Sequence, residues 1–133
     1  MVQKKKNTPY LERDISWMYF NRRILQEATR PHVPLLERMA FLGIYSNNLD
    51  EFFRVRMATQ SRIAECTDKA AAKESEHARK LIRQIGKLNA RYVEDYEKTV
   101  ASVTEALRQE NIYLVNDAEV TPEQLAFIQK FYR

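Results

Sequence analysis

The stretch 74–109 constrains this 133-residue chain more than any other feature. Ala78, Leu81, Ile85, Leu88, Tyr92, Tyr96, Val100, Val103 and Leu107 recur there at three- and four-residue steps, the spacing that lines one face of an α-helix. At 1.5 Å per residue such a helix is about 50 Å long. A compact domain of this size needs less, so the helix is expected either to project or to pack against something outside the chain. The expected fold class is all-α: a helical bundle with one very long helix and a short extended segment near 112–115. Two glycines and four prolines agree with that, because hairpins, dinucleotide-binding units and phosphate-cradling loops all draw on glycine. A single cysteine excludes an internal disulfide. The longest apolar run, 39–45, is far below the ~20 residues that span a bilayer, so no transmembrane segment is expected. The basic N-terminus lacks the apolar stretch of a secretory signal. The expected location is cytoplasmic, with peripheral membrane attachment left open.

The net charge of +4 hints at anionic partners only weakly. Lys4, Lys5 and Lys6 supply three of those charges within residues 1–13, read as a flexible basic tail. The remaining body, 14–133, is read as one helical domain of near-neutral charge, and no nucleic-acid partner follows from it.

Helix one is expected to start near Ser16 as N-cap, with Trp17, Phe20, Ile24 and Ala28 as its apolar stripe. Pro31 and Pro34 break it, and Pro34 suits the first position of helix two. Helix two would bury Leu35, Met39, Leu42, Leu49, Phe52, Phe53 and Val55, with Leu36 and Tyr45 flanking, and would run to about Cys66. Gly43 and Ser46-Asn47-Asn48 have poor helix propensity and mark the place for a kink, and the sequence does not decide whether the helix breaks there. Residues 74–109 form helix three, with Glu94–Lys98 and Glu105–Gln109 as surface pairs one turn apart. Ile112-Tyr113-Leu114-Val115 is expected to dock, extended, on the bundle. Thr121, Pro122 and Gln124 open a last helix with a capping box, striped by Leu125, Ile128 and Phe131. The amphipathic pattern then stops without a cap, which reads as a piece of a longer chain.

No nucleophile–base–orienter set is visible. His32 and His77 read as surface residues, and Cys66 as half-buried and unreactive. Glu74 and His77 match one Glu-x-x-His pair of a di-iron bundle, but the second pair is missing, so no metal site is assigned. The segment that stands out is SNNLDEF, 46–52, because it interrupts the most apolar helix with amides and carboxylates. It has two readings. One is a solvated helix face, with Asp50 pairing to Arg54 one turn on. The other uses an asparagine carboxamide, a donor and an acceptor side by side, which complements the edge of an adenine.

The runs LERDISWMYFNRRILQEA and PLLERMAFLGIYSNNLDEFFRVRMA resemble the N-terminal domain of bacterial polyphosphate kinase. The resemblance is close over 10–63 and looser through the long helix and NIYLVND. Its implications reach beyond this chain. Members of the family are multidomain enzymes that transfer the terminal phosphate of ATP to polyphosphate, and reverse the reaction to form ATP from ADP. A histidine in the C-terminal region becomes phosphorylated with magnesium nearby, so the domains that bind magnesium are absent here and neither His32 nor His77 is that histidine. The N-terminal domain covers the nucleotide, and the second asparagine of the motif, Asn48, corresponds to the residue that contacts adenine. Arg54 and Arg56, about two turns on, are candidates for the phosphate channel, against a competing reading as solvated or carboxylate-paired side chains. The family enzymes are homodimers. The resemblance therefore implies a non-catalytic domain that completes an ATP site with the enzyme's later domains. The alternative is a helical dimerisation module without ligand contact, in which the long helix and Trp17, Tyr19 and Phe20 serve subunit packing.

Overall fold

A computed structural model describes residues 10–132. Lys4, Lys5, Lys6 and most of the expected tail lie outside the described residues. Among the described residues, five α-helices occur in chain order: α1 (Arg13–Glu27), α2 (Leu35–Phe52), α3 (Ala58–Ala64), α4 (Ala72–Gln109) and α5 (Pro122–Phe131). A π-helical turn, Phe53–Met57, joins α2 to α3, and no strand occurs among the described residues.

The chain folds as an antiparallel trio. The pairs Asp14–Arg56, Asn21–Asn48 and Arg38–Ala28 run α1 against α2 and its continuation. Tyr45 stacked on Tyr96, and Ser75 bonded to the end of α3, run α2 and α3 against α4. The long helix therefore does not project. Its apolar stripe is covered from Ala78 to Leu107, because α2 and α3 together nearly match its length. The stripe expected for it is the observed one, with Leu88, Tyr96 and Val100 packed at the core's edge.

Helix ends explain the boundaries. The α1 N-cap is Glu12, not Ser16: the Glu12 carboxylate accepts from Asp14 N at 2.6 Å, and Ser16 N already donates to Glu12 O within the helix. The carbonyls at the end of α3 are satisfied from α4. Ser75 Oγ lies within 2.8–3.2 Å of Ile63 O, Ala64 O and Cys66 O, and Arg79 Nη1 donates to Ala64 O at 2.8 Å. Asn111, at φ 60°, ends α4 in the left-handed conformation that lets Ile112 N reach back to Leu107 O. Thr121 and Gln124 form the expected capping box of α5.

The structure corrects several expectations and decides one left open. The buried face of α1 is Asp14, Ile15, Met18, Asn21, Leu25 and Ala28, while Phe20 is 56% exposed. Helix two passes unbroken through Gly43 and Ser46-Asn47-Asn48, and its irregularity is the π-turn beyond them. Ala58 N donates to Phe53 O there. The extra residue rotates the downstream helix by about 100°, leaving Val55 and Phe53 exposed and sending Met57 into the core. Residues 112–115 are exposed rather than docked on the bundle, as is the Leu125, Ile128, Phe131 stripe of α5. Cys66 is exposed, not half-buried. Of the two surface pairs, Lys98 bonds Glu94 at 2.6 Å, whereas Glu105 faces Arg108 instead of Gln109.

Candidate functional site

The two long faces of α1 and α2 do different things, and a cleft forms where they meet. Trp17 and Phe20 on α1, the α2 residues Asn48, Glu51 and Phe52, and Val55 and Arg56 of the π-turn line a cleft of about 350 Å³. The apolar side chains expected to form the core face of α1 are thus partly the wall of this cleft. Trp17 lies flat on Phe52, ring centroids 4.2 Å apart and planes 8° from parallel. That stack gives the cleft a rigid aromatic floor.

Asn48 stands beside the stack, partly buried. Its Nδ2 donates to Asn21 Oδ1 at 3.2 Å, and Asn21 Nδ2 in turn donates to the Tyr45 carbonyl at 3.2 Å. Asn21 is 1% exposed, so two of its hydrogen-bonding groups are used inside the protein. The Asn48 carboxamide is only half used: its Oδ1 accepts from none of the described residues. A donor–acceptor edge with one free acceptor thus faces a space floored by aromatic rings.

The two arginines that follow the motif separate. Arg54 pairs with Asp50 one turn back on the exposed face and does not line the cleft. Arg56, turned by the π-turn, stands with Nε 2.8 Å from Asp14 Oδ1. This contact is ionic and off the hydrogen-bond axis. Gln60 Nε2 donates to the other carboxylate oxygen at 3.3 Å. Asp14 is fully buried near the N-terminus of α1, where the helix dipole favours a negative charge. The electrostatic inventory of the cleft is small: one guanidinium with its own buried carboxylate behind it, and the Glu51 carboxylate at the wall. That balance suits an uncharged planar group better than a polyphosphate tail.

Behind the cleft, Tyr45 stacks on Tyr96 at 5.3 Å. Its hydroxyl is buried without a partner among the described residues. Burial pushes its pKa up to about 12, with Tyr92, Asp95 and Tyr96 adding to the shift. Tyr92 is likewise raised by burial, opposed by Arg22, whose guanidinium lies 5.1 Å from the ring centre.

His32 and His77 are exposed. Among the described residues, no three His, Cys, Asp or Glu side chains come together as a metal site. Sequence reasoning missed Asp14, Asn21, Glu51 and Gln60. A signal for the first two was present: Asp14, Met18, Asn21, Leu25 and Ala28 also keep three/four spacing, but two polar members hid the stripe.

Residues 10–115, which include every residue of the cleft, match the family model described as polyphosphate kinase N-terminal domain. The chain belongs to that family. Three polyphosphate kinases illustrate its relatives. That of Vibrio vulnificus is 37% identical over 126 residues, covering 93% of this chain and 17% of the relative. That of Vibrio parahaemolyticus is 34% identical over 124 residues, 93% of this chain and 18% of the relative. That of Escherichia coli K12 is 32% identical over 124 residues, with the same coverage of both. The chain thus spans less than a fifth of the length of these curated relatives. No solved structure matches it. The resemblance carried by SNNLDEF and the α1 block is thereby placed on the family's N-terminal domain, and no described helix is long and apolar enough to cross a membrane.

Proposed function

We propose that this polyphosphate kinase N-terminal domain forms the adenine-contacting side of an ATP site, in an enzyme that moves the terminal phosphate of ATP reversibly onto polyphosphate. The observation that carries the reading is Asn48, whose unpartnered Oδ1 sits beside the Trp17–Phe52 stack in the α1–α2 cleft. A purine base stacks on such a floor and exchanges hydrogen bonds with a carboxamide. In this reading Arg56, paired with Asp14, approaches the phosphate end, while Arg54, paired with Asp50, belongs to the solvated face.

This domain is not catalytic in the proposal. Phosphoryl transfer needs concentrated positive charge around the phosphates, and the cleft holds one guanidinium already faced by a carboxylate. Magnesium, which would neutralise charge developing on the transferred phosphate, is assigned to donors elsewhere in the enzyme, as is the phosphorylated histidine. ADP is the nucleotide of the reverse reaction, and the full-length enzyme is a homodimer in the same reading.

The test is Asn48→Ala in the full-length enzyme. A single carboxamide contact contributes about 0.5–1.5 kcal/mol, so the KM for ATP should rise roughly three- to tenfold with kcat little changed. An unchanged KM removes Asn48 from the site.

A second reading, an assembly module, is favoured by one observation. Tyr113, Leu114, Phe127, Phe131 and Tyr132 are exposed, and an apolar groove of about 410 Å³ runs between Val115 and α5. Loss of the oligomer in Phe127→Glu by light scattering, with ATP kinetics of Asn48→Ala unaltered, would favour assembly over nucleotide contact.

A further inference from the structure

Asn21 is a fully buried amide on the core face of a helix that could have carried a leucine there. Its Nδ2 donates to the Tyr45 carbonyl, a main-chain atom of α2 that cannot turn. The orientation of the Asn21 amide is thereby fixed, and its Oδ1 must face Asn48. Asn48 answers with its NH2 group at 3.2 Å. Flipping the Asn48 carboxamide would set oxygen against oxygen in a buried place, a contact that folding does not tolerate cheaply. The chain of bonds thus decides which end of Asn48 is held and which is offered: the acceptor Oδ1 is turned away from Asn21, and no described residue donates to it.

We propose that Asn21 is a positioning residue that sets the base preference of the cleft by latching Asn48 with its acceptor outward. The proposal rests on the nucleotide reading above and deepens it. Adenine carries an N6 amine, a donor, where guanine carries the O6 acceptor. A carboxamide locked with its oxygen outward accepts from adenine N6 and repels guanine O6. A carboxamide free to flip serves both bases, because either of its ends can face the ligand. Discrimination of ATP from GTP therefore resides partly in Asn21, one side chain behind the one that touches the base.

The experiment measures kcat/KM for ATP and for GTP in the full-length enzyme, together with thermal stability, in three variants. Asn21→Leu keeps the branching at Cγ, adds some bulk and removes the latch. Its ATP-to-GTP ratio should fall at least about threefold, chiefly through a lower KM for GTP. Asn21→Asp keeps an acceptor toward Asn48 but loses the donor to Tyr45 and buries a charge. It should melt lower and keep the ratio. Asn21→Ala replaces Asn21→Leu if the latter does not fold, with the same expectation. A ratio unchanged without the latch, or one that tracks melting temperature across the variants, overturns the proposal and leaves Asn21 a helix-packing residue. Asn48→Ala separates the two levels: if it too changes neither ATP affinity nor the ratio, the nucleotide reading itself falls, whereas if it acts and Asn21→Leu does not, only the latch falls.

Discussion

Removing Arg56 should cost more stability than removing its partner. Asp14 is 2% exposed and Arg56 28% exposed, with Nε 2.8 Å from Oδ1. Breaking a buried ion pair by deleting one member costs about 3–5 kcal/mol, because a charge is left in the interior. Arg56→Ala leaves the carboxylate, itself 2% exposed, with the Gln60 hydrogen bond and the start of α1 as its remaining polar support. A cost of about 3 kcal/mol is expected. Asp14→Ala leaves a guanidinium on a long side chain, already over a quarter exposed, that can swing outward and rehydrate. Its loss is then the Gln60 hydrogen bond and the helix-dipole contribution of Asp14, about 1–2 kcal/mol together. The double variant Asp14→Ala/Arg56→Met should recover much of the Arg56→Ala loss, because no charge stays stranded. Urea unfolding of the chain monitored by far-UV circular dichroism gives all three values from the midpoints. Asp14→Ala costing more than Arg56→Ala, or Arg56→Ala costing under about 1 kcal/mol, would refute the reasoning.

Two further outcomes rest on buried polar groups. The Tyr45 hydroxyl is buried without a partner among the described residues, so Tyr45→Phe should be neutral or stabilising by up to about 1 kcal/mol in the same unfolding assay. Because the folded-state pKa of Tyr45 is raised to about 12, the folded chain holds its proton where the unfolded chain has lost it, so this contribution to stability is complete below about pH 10 and is lost as pH rises toward 12. Tyr45→Phe should flatten that alkaline loss, and an identical pH profile would contradict it. Ser75→Ala should cost about 1–2 kcal/mol by uncapping α3. Amide exchange should then speed up at 63–66 before it does in α4, and exchange unaltered there would show the cap to be idle.

How much of this was readable from residues alone depends on whether polarity and burial agree. In α4 they largely do: the buried positions from Ala78 to Leu107 are apolar except Thr99, so its face was legible over about eight turns. Thr121, Pro122 and Gln124 announced α5 through local capping chemistry, which needs no tertiary information. In α1 the rule inverts. Asp14 and Asn21 are buried because partners reach them from α2 and from beyond the π-turn, 46 and 24 residues away for Gln60 and Tyr45. Trp17 and Phe20 point instead to the cleft. Spacing alone cannot register that exchange. The weak helix formers Gly43 and Ser46-Asn47-Asn48 do not break the helix, since Gly43 faces open space and Asn48 is tied across to α1. The π-turn falls in Phe-Arg-Val-Arg-Met, where no residue type announces it. Asn48 itself was visible as a motif, but not the half-used carboxamide, which depends on where Asn21 lies.

The most direct measurement is a structure of the full-length enzyme with a non-hydrolysable ATP analogue bound. The adenine ring is expected against the Trp17–Phe52 stack, with its N6 amine donating to Asn48 Oδ1 and its phosphates leading away past Arg56. A base bound elsewhere in the enzyme, with the α1–α2 cleft empty or filled by another part of the chain, would contradict the assignment.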